Sequence, residues 1–332
     1  MSARYLVVND IHLSDRPPAS CTESYLDDLF GMLEQTVELE RSLGCDGTIW
    51  AGDVFHIKTP SRTSHATILR TIDIVRKYRE LWIVPGNHDL MHDDLGSVGT
   101  TQPLGVLLQA GAKLLDGWAD RLGPEGGRPI YGVPWQQEWS EENLKAAFQD
   151  WNSVPAKERL ANSLVVTHAP LYPPGQELSF EFYPTKVMVA EVEPRAPWSM
   201  IQAVGYCAYG HVHENHGIFR VGSVDFCNHG ALSRGSLSEA DTTREVSATL
   251  WDSEEGFSRV PIEHKPADQV LRIAQSTEVK THAVEVGEFL ASIGSVRLGV
   301  TTAESVMAHV DTLDVAPPVR ETIVRLLGEA GA

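Results

Sequence analysis

Leu81-Trp82-Ile83-Val84-Pro85-Gly86-Asn87-His88-Asp89 is the stretch whose reading decides the fold. Four apolar residues in a row read as a buried strand, and Pro85-Gly86 stops it abruptly. An amide, an imidazole and a carboxylate follow at once. Three groups able to bind metals or move protons are thus set at the carboxyl end of a core strand, where open α/β sheets hold their ligands. Alone, Gly-Asn-His-Asp also suits an ordinary polar turn. The pattern gains weight because it recurs four more times.

Tyr5 to Val8 reads as a strand that runs into Asp10-Ile11-His12, and two residues of extended chain put Asp10 and His12 on one side. Thr48-Ile49-Trp50 leads to Gly52-Asp53, and Leu164-Val165-Val166 to Thr167-His168. Ala203 to Tyr209 leads to Gly210-His211-Val212-His213. Helical spacing separates these strands. Thr22 is a candidate N-cap before Leu26, Leu29, Phe30, Leu33 and Val37, with Gly44 as the stop. A second helix over 63–77 carries Ile68, Leu69, Ile72 and Val75 on its apolar face, and shorter ones are expected at 104–108 and 141–151. Segments 113–122, 129–133, 218–221, 246–251 and 258–263 read as further strands. Tyr172 to Pro197 holds five prolines without periodicity and reads as a long loop over the site.

The chain has 332 residues, 42% hydrophobic and 22% charged, as in ordinary globular proteins. No apolar run approaches the roughly 20 residues that span a bilayer, and the N-terminus carries no signal-peptide pattern, so a cytoplasmic protein without a membrane partner is expected. Cys21, Cys45, Cys207 and Cys227 lack metal-site spacing and read as reduced thiols. The net charge of −18 gives no attraction for polyanions, although bound metal ions can dominate the charge of one site. After Pro266 the pattern turns helical, at 284–293, 302–313 and 317–327. The division expected is therefore a catalytic domain over 1–265 and a small helical domain over 266–332. In the last helix Val319, Ile323, Leu326 and Leu327 form an apolar stripe that either closes a small core or docks a partner.

Asp10, His12, Asp53, Asn87, His168, His211 and His213 collect at the strand ends. Seven oxygen and nitrogen donors exceed one tetrahedral ion and suit two divalent ions. Mixed imidazole, carboxylate and amide donors favour Mn2+, Fe or Zn over Ca or Mg alone. A carboxylate such as Asp53 can bridge two ions about 3.5–4 Å apart that share a water. No cysteine belongs to the set.

These five motifs, in this order, resemble the calcineurin-like metallophosphoesterase superfamily over roughly residues 4–225. The resemblance implies an α/β fold, a four-layer αββα sandwich of two mixed sheets, here with a small C-terminal α-helical appendage. It also implies Asp10, His12, Asp53 and His213 around one ion, and Asp53, Asn87, His168 and His211 around the other. Mn2+ is the first candidate, with Fe, Zn and Mg as the others. Gly52-Asp53-Val54-Phe55-His56 followed by Pro60-Ser61 is similar to the double-strand-break nuclease branch, which includes SbcD-type and phage recombination endonucleases. That branch implies DNA as substrate, an SbcC-type coiled-coil ATPase as partner, and a homodimer. The short helical tail departs from the larger capping domain of the branch.

The chemistry expected is attack on phosphorus by the water shared between the ions, with His88 giving a proton to the leaving oxygen. His56 is a candidate to orient His88 or the phosphate. Arg62, Arg70, Arg76 and Lys77 give the second helix a basic face that suits DNA, or that is merely a solvated surface. Two rivals stand beside the nuclease: a phosphoesterase for a small nucleotide or cyclic nucleotide, and a non-catalytic interaction module of the same fold.

Overall fold

Each expected strand-then-ligand segment begins with a strand of one of two sheets. The computed structural model describes residues 2–59, 63–119, 130–137, 163–173, 188–189, 205–222 and 224–273. In chain order the elements are β1 (Arg4–Val8), helix α1 (Tyr25–Ser42), β2 (Gly47–Trp50), α2 (His65–Val75), β3 (Leu81–Ile83), α3 (Pro103–Gln109), β4 (Lys113–Leu114) and β5 (Ile130–Val133). They continue as β6 (Ser163–Thr167), β7 (Leu171–Tyr172), β8 (Met188–Val189), β9 (Gly205–Tyr209), β10 (Asn215–Val221), β11 (Val224–His229), β12 (Ser247–Asp252) and β13 (Gly256–Pro261).

The first sheet has the order β13-β12-β1-β2-β3-β4 and the second β10-β11-β9-β6-β5. Both are mixed. β1 to β4 pair in parallel, while β12 and β13 join antiparallel. In the second sheet β5, β6, β9 and β11 are parallel and β10 is antiparallel. One buried cluster contains Val7, Ile49, Trp82 and Trp251 from the first sheet with Ile130, Leu164, Val166 and Ala208 from the second. The sheets therefore pack face to face, and strands buried on both sides read as continuous apolar runs. Their ligand-bearing carboxyl ends meet at one edge of this sandwich.

Helices flank the sandwich. α1 begins at Tyr25 after Ser24, and Thr22 does not cap it; Thr22 and Ser24 instead donate their hydroxyls to the Gln269 carbonyl, each at 2.6 Å. Gly44, with φ 64°, ends it as expected. In α2 the Ser64 hydroxyl accepts from the Thr67 amide. Leu69, expected on the buried face, is 61% exposed, while Thr67 and Thr71 are buried. The Thr71 hydroxyl donates to the Thr67 carbonyl at 2.7 Å, so that polar group is satisfied within the helix.

Two readings change. Among the described residues of the strand expected over 113–122, Lys113–Leu114 joins the first sheet and Trp118 bridges antiparallel to Tyr131 of the second, while 120–122 lie outside the described residues. β11, which period-two alternation does not mark, is a buried strand between β10 and β9. The helix expected at 141–151 and most of the loop expected at 172–197 lie outside the described residues. The chain divides into two units, Met1–Leu271 and Arg272–Ala332. The helical patterns from 284 onward and the stripe at Val319 lie outside the described residues, whereas a short helix at Ala267–Val270 belongs to the first unit.

Candidate metal centre

Four of the seven proposed ligands sit on strained backbone. Asp10, His12, Asp53 and His211 have φ of 47°, 51°, 50° and 79°. Left-handed backbone at a non-glycine residue costs on the order of 1–3 kcal/mol and persists only where surrounding contacts enforce it. Here those contacts are hydrogen bonds between ligand loops. The His12 amide donates to the Asp53 carbonyl at 2.8 Å, and the His211 amide to the Asp10 carboxylate at 3.0 and 3.1 Å. The His88 amide donates to Asp53 Oδ1 at 2.8 Å.

The motif glycines answer to the same crowding. A Cβ on Gly86 would lie 2.3 Å from Asp53 Oδ1, and one on Gly52 2.1 Å from His168 Nδ1. Gly52 also has φ of 92°. Asp89 is the part of the central motif whose task sequence reasoning missed. Buried, it accepts from the amides of Val54 (3.1 Å) and Gly86 (3.0 Å), tying the Asp53 loop to the Asn87 loop. Burial and the nearby Asp53 push its carboxyl up to about 7.

The side chains converge. His12 Nε2 lies 3.0 Å from His213 Nε2 and 3.5 Å from Asp53 Oδ2, while Asp10 Oδ1 is 3.8 Å from His213 Nε2. On the other side of Asp53, His168 Nε2 is 3.4 Å from its Oδ2 and 3.2 Å from Asn87 Oδ1. His211 Nδ1 is 3.1 Å from the same Asn87 oxygen. Asp10, His12 and His213 thus form one group, and Asp10, Asp53 and His168 a second. Asp10 is common to both, Asp53 of the second group reaches His12 of the first at 3.5 Å, and His12, His56 and His88 form a third group.

This donor set fits divalent ions. Ligand atoms about 2.1 Å from one ion stand roughly 3.0 Å apart at octahedral and 3.4 Å apart at tetrahedral angles, close to the separations observed. Asp10 and Asp53 are buried carboxylates whose closest countercharges among the described residues are imidazoles. Buried anions need a compensating cation. Burial would raise Asp53, but the charge and hydrogen bond of His168, with His12, hold it well below the usual range. Burial alone would lower His168, yet Asp53 and Asp10 carry it up to about 9. Burial lowers His12, and brings His211 down to about 3, so both are neutral imidazoles as ligation requires. The His168 Nδ1 donates to the Ala51 carbonyl at 2.8 Å, which points Nε2 at the carboxylates. The His12 Nδ1 is buried without a hydrogen-bond partner.

His88 and His56 stand at the edge of this centre. Their rings stack with centroids 5.7 Å apart, and His88 meets His12 edge-on at 4.9 Å. The His88 Nδ1 bonds the main-chain carbonyl of His56. A carbonyl only accepts, so Nδ1 carries the proton and Nε2 is the nitrogen left for exchange. A cleft of about 480 Å³ opens over the centre, lined by His12, Asp53, Asn87, His88, His211 and His213 on one side. Its other walls include Pro18, Tyr25, Pro170, Tyr172, Glu214 and Ser236, and no Lys or Arg lines it among the described residues.

The calcineurin-like phosphoesterase profile matches residues 3–215, which is more than half of the chain and includes all seven donor side chains. The chain belongs to the calcineurin-like phosphoesterase family. Metal-dependent phosphoester hydrolysis is the chemistry of that family, which uses divalent metals, and the donor groups of this centre are candidates to hold them. Among curated proteins none matches significantly. In structure the chain is similar to a protein of Thermus thermophilus, at 11% identity and TM-score 0.48, over 79% of this chain and 100% of that one. It is also similar to a Staphylococcus aureus protein assigned as a 5′-nucleotidase and solved with alpha-ketoglutarate, at 15% identity and TM-score 0.44, over 80% of this chain and 54% of that one.

The basic face of α2 lies apart from the cleft walls. Arg70 pairs with Asp27 of α1 at 2.7 Å and covers the Phe30 ring at 4.0 Å. Lys77 pairs with Glu34 at 3.4 Å, and Arg76 is exposed beyond the helix end. Arg62 lies outside the described residues.

Proposed function

We propose that this phosphoesterase is a phosphodiesterase of nucleic acid, a DNA exo- or endonuclease acting in recombination or repair in the cytoplasm with an SbcC-type ATPase. When bound, two divalent ions, Mn2+ first among the candidates, acidify a water and draw charge from the phosphate oxygens. The chain supplies the rest. Asp53, within 3.5 Å of His12 and 3.4 Å of His168, would serve both ions, Asn87 and the imidazoles would orient a phosphate, and His88 lines the cleft with its Nε2 left for proton exchange. The carrying observation is the His88 Nδ1 bond to the His56 carbonyl. It sets the ring so that Nε2 can donate to a departing alkoxide, which a diester with a poor leaving group needs. The Gly52–His56 and Pro60-Ser61 pattern supports DNA as that diester.

The second reading, a small nucleotide or cyclic nucleotide as substrate, is favoured by the cleft. Among its described walls there is no cation to take a second phosphate, and two of the α2 cations are occupied by acids of α1. Mn2+-dependent hydrolysis of linear duplex DNA, single-stranded DNA, cyclic nucleotides, nucleoside monophosphates and bis-p-nitrophenyl phosphate, measured side by side, separates the readings. The nuclease reading requires DNA to be cut with higher kcat/KM than the small esters. Cleavage of small esters alone selects the second; no hydrolysis of any diester overturns the nuclease reading, and no hydrolysis of nucleoside monophosphates either overturns the second.

A further inference from the structure

We infer that Asn228, on a strand that carries no metal ligand, is a positioning residue for the Asp10–His12–His213 donor group. The inference rests on the two-ion reading of the site and goes beyond it, because it assigns what sets the spacing of that group. Asn228 is fully buried on β11. Its Nδ2 donates to the Val212 carbonyl at 2.8 Å, between His211 and His213. Its Oδ1 accepts from the Asn9 Nδ2 at 3.2 Å, and Asn9 directly precedes Asp10. The same Asn9 nitrogen donates to the Tyr209 carbonyl at 3.0 Å, at the end of β9. Two amide side chains therefore tie the end of β1 in the first sheet to the end of β9 in the second.

The chain after Asn228 repeats this tie with its backbone. The Ala231 amide donates to the His213 carbonyl at 3.1 Å, and the Leu232 amide to the Asn9 carbonyl at 2.7 Å. Ser233 donates to the Asp10 carbonyl through its amide at 3.2 Å and its hydroxyl at 3.0 Å. Gly230, at φ 84°, makes the turn, where a Cβ would come 2.9 Å from the His213 carbonyl. From outside, the Arg244 guanidinium donates to the carbonyls of Ala231 and Ser233. Residues 228–233 thus form a bracket with one side on the Asp10 loop and the other on the His213 loop. Losing the Asn228 amide leaves the Val212 carbonyl without its donor and removes the side-chain tie between the loops, so that only the backbone ties remain. The separation of Asp10 from His213, 3.8 Å here, is then held less tightly.

Direct measurement of bound Mn2+ tests this. The full-length protein is compared as wild type, Asn228→Ala, Asn9→Ala and Tyr78→Phe. Tyr78→Phe removes the buried 2.6 Å hydroxyl contact with Thr36, which is no candidate ligand, and controls for plain destabilisation. Equilibrium dialysis gives stoichiometry, and electron paramagnetic resonance reports whether two Mn2+ ions are exchange-coupled. The expected result is two coupled ions in wild type and Tyr78→Phe. In both asparagine variants one Mn2+ should bind at least tenfold more weakly, with loss of the coupled signal and retention of far-UV circular dichroism. The two single changes should not add in the double variant, because the amides contact each other. Two coupled ions at wild-type affinity in a folded Asn228→Ala protein overturn the inference, and so does failure of both asparagine variants to fold. Fewer than two ions in wild type would instead overturn the two-ion reading on which it rests.

Discussion

Replacing Asp53 by Asn removes one negative charge from the middle of the donor set and little else. Asn tolerates left-handed backbone nearly as well as Asp, so the φ of 50° is kept, whereas Ala would add about 1–2 kcal/mol of backbone strain. The amide oxygen can still accept from the His88 amide, now at 2.8 Å. What is lost is the anion facing His12 at 3.5 Å and His168 at 3.4 Å. Removing one partner of a buried charge pair costs about 3–5 kcal/mol. At about 1.4 kcal/mol per tenfold, that is a loss of roughly two to three and a half orders in affinity for a divalent ion. Because Asp53 faces both donor groups, both ions should weaken together. Isothermal titration of the metal-free protein with Mn2+ measures this directly, alongside elemental analysis after desalting. Retention of two ions, or a change of less than tenfold at both sites, would refute Asp53 as the shared ligand. Loss at one site alone would place it in a single group.

His88→Ala should keep both ions and slow a diester with a high-pKa leaving group about 10²- to 10⁴-fold, with a much smaller effect on a nitrophenyl ester; equal losses on both would remove the general-acid role. His56→Ala keeps the carbonyl that holds His88, so its kcat should fall by less than tenfold, and a loss as large as that of His88→Ala would give the His56 imidazole a direct part. Charge reversal of Arg70, Arg76 and Lys77 to Glu should weaken DNA binding and flatten its salt slope if α2 meets DNA, but leave both unchanged if these cations serve only α1. Burial holds His216 and His229 each at about 4, against 6.5 when unfolded. Below pH 6.5 the unfolded chain therefore binds protons that the native state refuses, so stability is full above that pH and declines toward pH 4, with a slope approaching 1.4 kcal/mol per unit per group. Asp89, raised to about 7, acts in the opposite direction. The check is therefore the change in urea midpoint from pH 7 to pH 5 in wild type against His216→Asn/His229→Asn; an identical change in both would contradict this. A chain ending at 265 should be less stable by roughly 3–5 kcal/mol than one ending at 271, because it lacks the buried Val270 and Leu271; equal thermal midpoints would contradict that difference.

The centre was legible because its ligands follow strands buried on both faces. Such strands write continuous apolar runs, and the first polar group after each run stands out, as at Val8, Trp50, Val84, Val166 and Tyr209. The sheet pairing could not be read in the same way, since nothing local says that β4 joins β3 while Trp118 turns toward Tyr131. Leu69 misled for a related reason. Helical spacing selects apolar residues, but α2 buries Thr67 and Thr71, whose hydroxyls find partners nearby, and leaves Leu69 outside.

β11 shows most clearly what a periodicity argument passes over. Val224-Asp225-Phe226-Cys227-Asn228-His229 has an amide and an imidazole where a core strand would be apolar, so its sequence argues against burial. Yet Asn228 and His229 are both buried, because each finds a partner from a distant segment: Asn9 and Val212 for the first, Thr249 for the second. A buried polar side chain is tolerable only with such partners. Those partners come from tertiary contact, which the local pattern does not encode. The residues that bind an ion are therefore visible in one strand at a time. The residues that hold two such strands at the right separation become visible only when both sheets are in place.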